Sequence, residues 1–159
     1  MLTEELNDKL TETMAVCDLH HKRMMFAWGN IEKYFPLTDI ILSGLSPVEL
    51  AFFDQLVYRF SNLQDSMGSR LFKQLLEALE EDIYGLPFID ILHKLEKLNL
   101  LDNAKEWIFL RQIRNTISHE YPFFKEVQIE ELNLLPDEVV KLTLIWLKLR
   151  EYTINRYEL

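Results

Sequence analysis

Apolar residues along this chain recur at intervals of three and four and show no sustained alternation. That period predicts helices and no strand. The first stripe is Leu6, Leu10, Cys17, Met24, Ala27, Ile31 and Tyr34, with Met14, Met25, Trp28 and Phe35 beside it. It predicts one long helix from about Thr3 to Tyr34, ended by Pro36. A second long helix opens at Ser46-Pro47-Val48-Glu49. Ser46 is its N-cap, Pro47 takes the first helical position, and Glu49 reaches back to complete a capping box. Its stripe runs from Leu50 through Phe53, Leu56, Phe60, Leu63, Met67, Leu71 and Leu75, with a stop expected near Tyr84-Gly85.

A shorter helix is expected from Phe88 to Leu98. A fourth starts behind Asp102 as N-cap and carries Trp107, Leu110, Ile113 and Ile117. Residues 123–135 read as a loop with room for one helical turn. The last helix opens at Pro136-Asp137-Glu138 and carries Val139, Leu142, Ile145, Trp146, Leu149 and Tyr152. Five helices with short connections predict an all-α fold: an antiparallel helical bundle around a four-helix core, with residues 1–159 as one domain.

Composition narrows the function classes. The 159 residues carry a net charge of −9. Such a balance argues against holding nucleic acid by blanket electrostatics. It leaves room for an enzyme that touches one or two phosphates in a local cationic notch, and it suits a basic partner. No apolar run is long enough to span a bilayer, so no membrane association is expected. The acidic N-terminus lacks the form of a secretion signal, and the single cysteine, Cys17, fits a reducing compartment. The expected location is cytoplasmic.

Chemistry concentrates in Arg114-Asn115-Thr116-Ile117-Ser118-His119-Glu120-Tyr121. A permanent cation, an amide, a group that titrates near neutrality and a phenol fall at one helix end. Pro122 disfavours helical geometry at Tyr121. On a regular helix Arg114 and His119 point about 140° apart, whereas Asn115 and His119 share a face. A long side chain, a distorted last turn or a second subunit is needed to bring cation and imidazole together. RNA cleavage without a metal needs a base for the 2′-hydroxyl, a cation over the phosphorane oxygens and an acid for the leaving 5′-oxygen. Arginine and histidine suit these tasks. One histidine cannot easily make both proton transfers, which favours two sites in a dimer. The same residues also admit a structural reading, in which Arg114 pairs with an acid of another helix and His119 caps the helix end.

The segment resembles the signature of HEPN domains, most closely HEPN ribonuclease toxins encoded beside a minimal nucleotidyltransferase antitoxin. Arg114, Asn115, His119 and Tyr121 match that signature, late in a small all-helical chain. The resemblance implies a HEPN-like fold, a homodimer, metal-independent cleavage of RNA by 2′-hydroxyl attack, and Arg114 and His119 as catalytic residues. Asn115 and Tyr121 would be accessory. A cognate minimal nucleotidyltransferase antitoxin would be the partner, with Tyr121 a candidate for adenylylation. No cofactor is implied. A reading of a different class is a non-catalytic helical adaptor that binds a nucleotidyltransferase.

Two further stretches bear on the motif. Arg59 to Arg70 is polar for the middle of a long helix. Part of it could orient Arg114 through Asn62 or Asp65; the alternative is a solvated face. Ser61, Ser66, Gly68 and Ser69 would allow a close helix crossing. Cys17 and His21 are four apart on one helix, but no second Cys/His cluster completes a metal site, so no metal is expected.

Overall fold

The structure is a computed structural model that describes residues 2–117 and 125–159. Among the described residues it is helical without strands: α1 (Glu4–Ile31), α2 (Asp39–Gly44), α3 (Pro47–Ser66), α4 (Phe72–Ala78), α5 (Phe88–Lys97), α6 (Ala104–Ile117), α7 (Lys125–Leu132) and α8 (Leu135–Tyr157). A 3-10 turn, Glu32–Tyr34, finishes α1, and Phe35 is already extended before Pro36. A π-helical turn, Met67–Leu71, joins α3 to α4, so Pro47–Ala78 is one continuous rod.

Side-chain caps account for the best-defined starts, and the predicted box at Ser46 is one of them. Thr3 accepts from the Leu6 amide before α1. At α3, Ser46 Oγ accepts from the Glu49 amide at 3.2 Å, and the Ser46 amide donates to Glu49 Oε1 at 2.9 Å. Tyr34 donates its hydroxyl to the same carboxylate, which ties the end of α1 to the start of α3.

Cross-helix pairs fix the directions. His20 meets Arg59 and Phe26 meets Phe52, so α1 and α3 are antiparallel. Gln64 reaches Leu110 while Phe72 packs on Trp107, so α3–α4 and α6 are antiparallel. Asp18 pairs with Arg150 and Met25 touches Thr143, which sets α8 against α1. Asp102 pairs with Lys148 while Phe109 lies under Lys141, which sets α8 against α6. Four long helices thus alternate in direction around one core. Leu10, Cys17 and Met24 of α1 meet Leu56, Phe60 and Leu63 of α3 there. Trp107, Leu110, Trp146 and Leu149 come from the other pair, and all are buried. Each large apolar side chain so buried contributes roughly 1.5–3 kcal/mol.

Four expectations are corrected. The rod ends at Ala78, not near Gly85. Glu80 adopts φ 60°, and the Glu81 amide folds back to the Leu76 oxygen at 3.0 Å, a left-handed stop built without glycine. Asp102 does not cap α6. Asn103 does, with its Oδ1 accepting from the Lys105 amide at 2.8 Å, while Asp102 holds Lys148 at 2.7 Å. Residues 125–132 form a two-turn helix in the segment expected to be a loop. Its exit is anchored by Asn133, whose amide side chain bonds both the amide and the carbonyl of Leu37. The short α2, capped by Thr38, lies in a stretch for which no helix was expected.

Candidate functional site

The site forms where the π turn crosses α6. Within α3 the hydrogen bonds run helically to Ser66, and then the Phe72 amide donates to the Met67 oxygen, one residue beyond the usual step. The added residue turns Gly68 toward α6. A β-carbon at Gly68 would lie 3.3 Å from Trp107 Cζ2 and 3.7 Å from Phe88 Cζ. Glycine therefore lets the indole press against the helix backbone. The small-residue crossing read from the sequence is realised at Gly68.

Gln64 and Asp65, one turn earlier, face α6 in different ways. Gln64 is buried, and its Nε2 donates to the Leu110 oxygen at 2.8 Å. That bond satisfies a polar group that would cost about 1–3 kcal/mol if left unpaired. Asp65 stands half exposed at the rim. Its Oδ2 accepts from Arg114 Nη2 at 2.5 Å, a short charge-assisted pair. Arg114 Nη1 donates to Asn115 Oδ1 at 3.1 Å. The guanidinium is thus held by a carboxylate from another helix and by the amide beside it in sequence.

Of the two candidates for orienting Arg114, Asp65 makes the contact. Asn62 instead donates to the Tyr58 oxygen of its own helix at 2.7 Å. His119 and Tyr121 lie outside the described residues. The Arg114–Asp65 pair is not sealed away. It borders a groove of about 220 Å³ that also takes in Lys73, Arg111, Trp107 and Phe88. The Arg111 guanidinium stacks 5.1 Å from the centre of the Phe88 ring. A second, more apolar groove of about 460 Å³ lies between α3 and α7, with Ile117 in its wall. The end of α6 therefore sits between two open grooves.

Lys73, Arg111 and Gln64 were not singled out in the sequence. A signal existed for one: Trp107, Arg111 and Arg114, spaced by four and three, must share one face of a helix.

Among the described residues no group of three His, Cys, Asp or Glu side chains is placed to hold a metal ion. Cys17 is buried, and burial pushes its thiol up to about 12, far from a reactive thiolate. His20 Nδ1 lies 3.0 Å from Arg59 Nη1. Arginine can only donate, so this nitrogen accepts and the imidazole proton is assigned to Nε2. Burial, then the charges of Arg59, Arg23 and Arg70, hold His20 below the ordinary histidine range. His93 is exposed on α5. No described helix is long and apolar enough to cross a membrane.

No family model matches this chain, and neither a curated protein nor a solved structure does.

Proposed function

We propose that this chain is a HEPN-type, metal-independent endoribonuclease, the toxin of a pair with a minimal nucleotidyltransferase. It would act in the cytoplasm as a homodimer of HEPN-like bundles. The observation that carries the reading is the Arg114 guanidinium, fixed by Asp65 and Asn115 at the edge of an open cationic groove in an otherwise acidic chain.

The chemistry follows from the residue types. A base removes the 2′-hydroxyl proton, the 2′-oxygen attacks phosphorus, and the 5′-oxygen leaves after receiving a proton. The products are a 2′,3′-cyclic phosphate and a 5′-hydroxyl. Arg114 would stabilise the charge that grows on the non-bridging oxygens. His119, five residues on, would be base or acid, with its twin in the dimer making the other transfer. Asn115 would orient the guanidinium, and Tyr121 would be accessory and open to modification.

A second reading is favoured by the same contact. A carboxylate already on Arg114 suits a non-catalytic adaptor whose motif serves a protein interface. One experiment divides the two. Purified protein is incubated with total RNA in EDTA, and the ends are analysed. The enzyme reading expects cleavage with cyclic phosphate ends, reduced at least about 100-fold in both Arg114→Ala and His119→Ala with the helical content unchanged. Equal residual cleavage in wild type and variants would identify a contaminant and leave the adaptor.

A further inference from the structure

We propose that the groove beside Arg114 is a subsite for the phosphate adjoining the scissile one in an unpaired RNA strand, with Arg111 and Lys73 as its cations. The strand's role as substrate rests on the reading above; the groove itself rests on its own geometry.

The first argument is electrostatic. Lys9, Lys94, Lys141, Lys148 and Arg150 each hold a carboxylate. Lys73 and Arg111 are, like several other bases such as Arg23, Arg59 and Arg70, without an ion pair among the described residues, and both line the groove that Arg114 borders. With Arg114 they set three cations against the one carboxylate of Asp65 in the groove's lining, a local positive site on a negative molecule.

The second argument is preorganisation. Arg111 is held by the face of Phe88 rather than by a carboxylate. Stacking fixes the plane of a guanidinium and leaves its N–H edge available for phosphate oxygens. Arg111 and Arg114 are three residues apart on α6, so their stems lie one above the other about 5 Å apart. Two forks so placed suit successive phosphates of one strand better than two oxygens of a single phosphate.

The third argument is shape. A groove of about 220 Å³ with the half-buried Phe88 ring in its wall can take one nucleotide's backbone and offer the ring to a sugar or base. A duplex would have to lay a broad phosphate surface against an acidic protein.

The test uses a fluorescein-labelled single strand of 2′-O-methyl RNA, which lacks the attacking hydroxyl, with anisotropy read across a salt series. Arg111→Gln and Lys73→Ala should each weaken binding at least about fivefold. Each should also flatten the slope of log K against log salt by roughly 0.7, the single-strand increment for one phosphate contact. Lys73 makes no ion pair, so its variant should melt like wild type. Lys33→Ala, at the far end of the bundle, should bind as wild type, and a duplex of the same sequence should bind more weakly. Wild-type affinity and slope in both groove variants would overturn the subsite, even if the protein cleaves RNA in EDTA. Binding that is lost in these variants, by a protein that never cleaves, would sink the nuclease reading and leave the groove as a phosphate site for an unpaired strand that is bound and not cut. No binding of the strand by wild type would overturn the subsite as well.

Discussion

A carboxylate 2.5 Å from a guanidinium can serve that cation or compete for it, and Asp65 decides which. Half exposed, the pair adds only about 0–1 kcal/mol to stability, so folding alone is a weak reason for it. Arginine has five N–H donors in a rigid fork. Asp65 accepts from one terminal nitrogen and Asn115 from the other, which fixes the plane of the group. Asp65→Asn keeps an acceptor but removes a charge that repels phosphate. If Asp65 positions Arg114, kcat for a fluorogenic RNA should fall about tenfold, close to 1.4 kcal/mol of transition-state stabilisation, while KM stays level or falls. A rise in kcat/KM would instead mark Asp65 as an inhibitor of the site. The thermal midpoint should move little in either case.

Among the elements, the π turn between α3 and α4 does most to shape the groove, and Gly68 is its critical position. Propensity alone favours Gly68→Ala by about 1 kcal/mol in a helix. Packing opposes it, because the new methyl would press on Trp107 at 3.3 Å. Phe72 lies 4.6 Å from that indole, centre to centre, on α4, and Phe88 crowds the same point, so the ring has little room to yield. Overpacking of this kind costs roughly 1–3 kcal/mol, which exceeds the propensity gain. The variant should melt about 2–4 °C lower, with a shifted tryptophan emission. A stabilised variant would mean that the crossing is loose. The start of α3 was legible because a Ser-Pro-x-Glu box is a local device, and both of its hydrogen bonds form. The π turn was not legible, since one added residue leaves an apolar stripe that still reads as helical. The end of the rod was hidden by a glutamate at φ 60°, where a glycine would have announced it. Residues 125–132 carry no clear apolar stripe, and the groove with α3 that helps hold them is a tertiary feature.

At the scale of the molecule, helix directions follow from alternation along the chain, whereas the choice of Asp65 over Asn62 as the partner of Arg114 required the fold. Arg114 and the polar run inside the long helix could be matched in sequence. Arg111 and Lys73 could not be joined, because they come from elements far apart in the chain that meet only once α4 packs beside α6. The same charge distribution makes a prediction that is independent of catalysis. A net charge of −9 on one bundle repels itself, and that repulsion is screened by salt over about 10 Å at 0.1 M. Surface ion pairs such as Lys9–Glu5 and Lys148–Asp102 are weakened by the same screening, but each contributes at most about 1 kcal/mol and usually less. We expect self-repulsion across the whole surface to outweigh these pairs, so stability should rise with salt. Between 10 and 200 mM sodium chloride the thermal midpoint should climb by roughly 2–4 °C, about 1 kcal/mol for a chain of this size. Strand binding at the groove should weaken over the same range, since its counterions are released from the nucleic acid. Opposite responses of folding and binding to one variable are what a cationic notch in an acidic bundle requires, and a midpoint that fell with salt would show that the ion pairs outweigh the net charge.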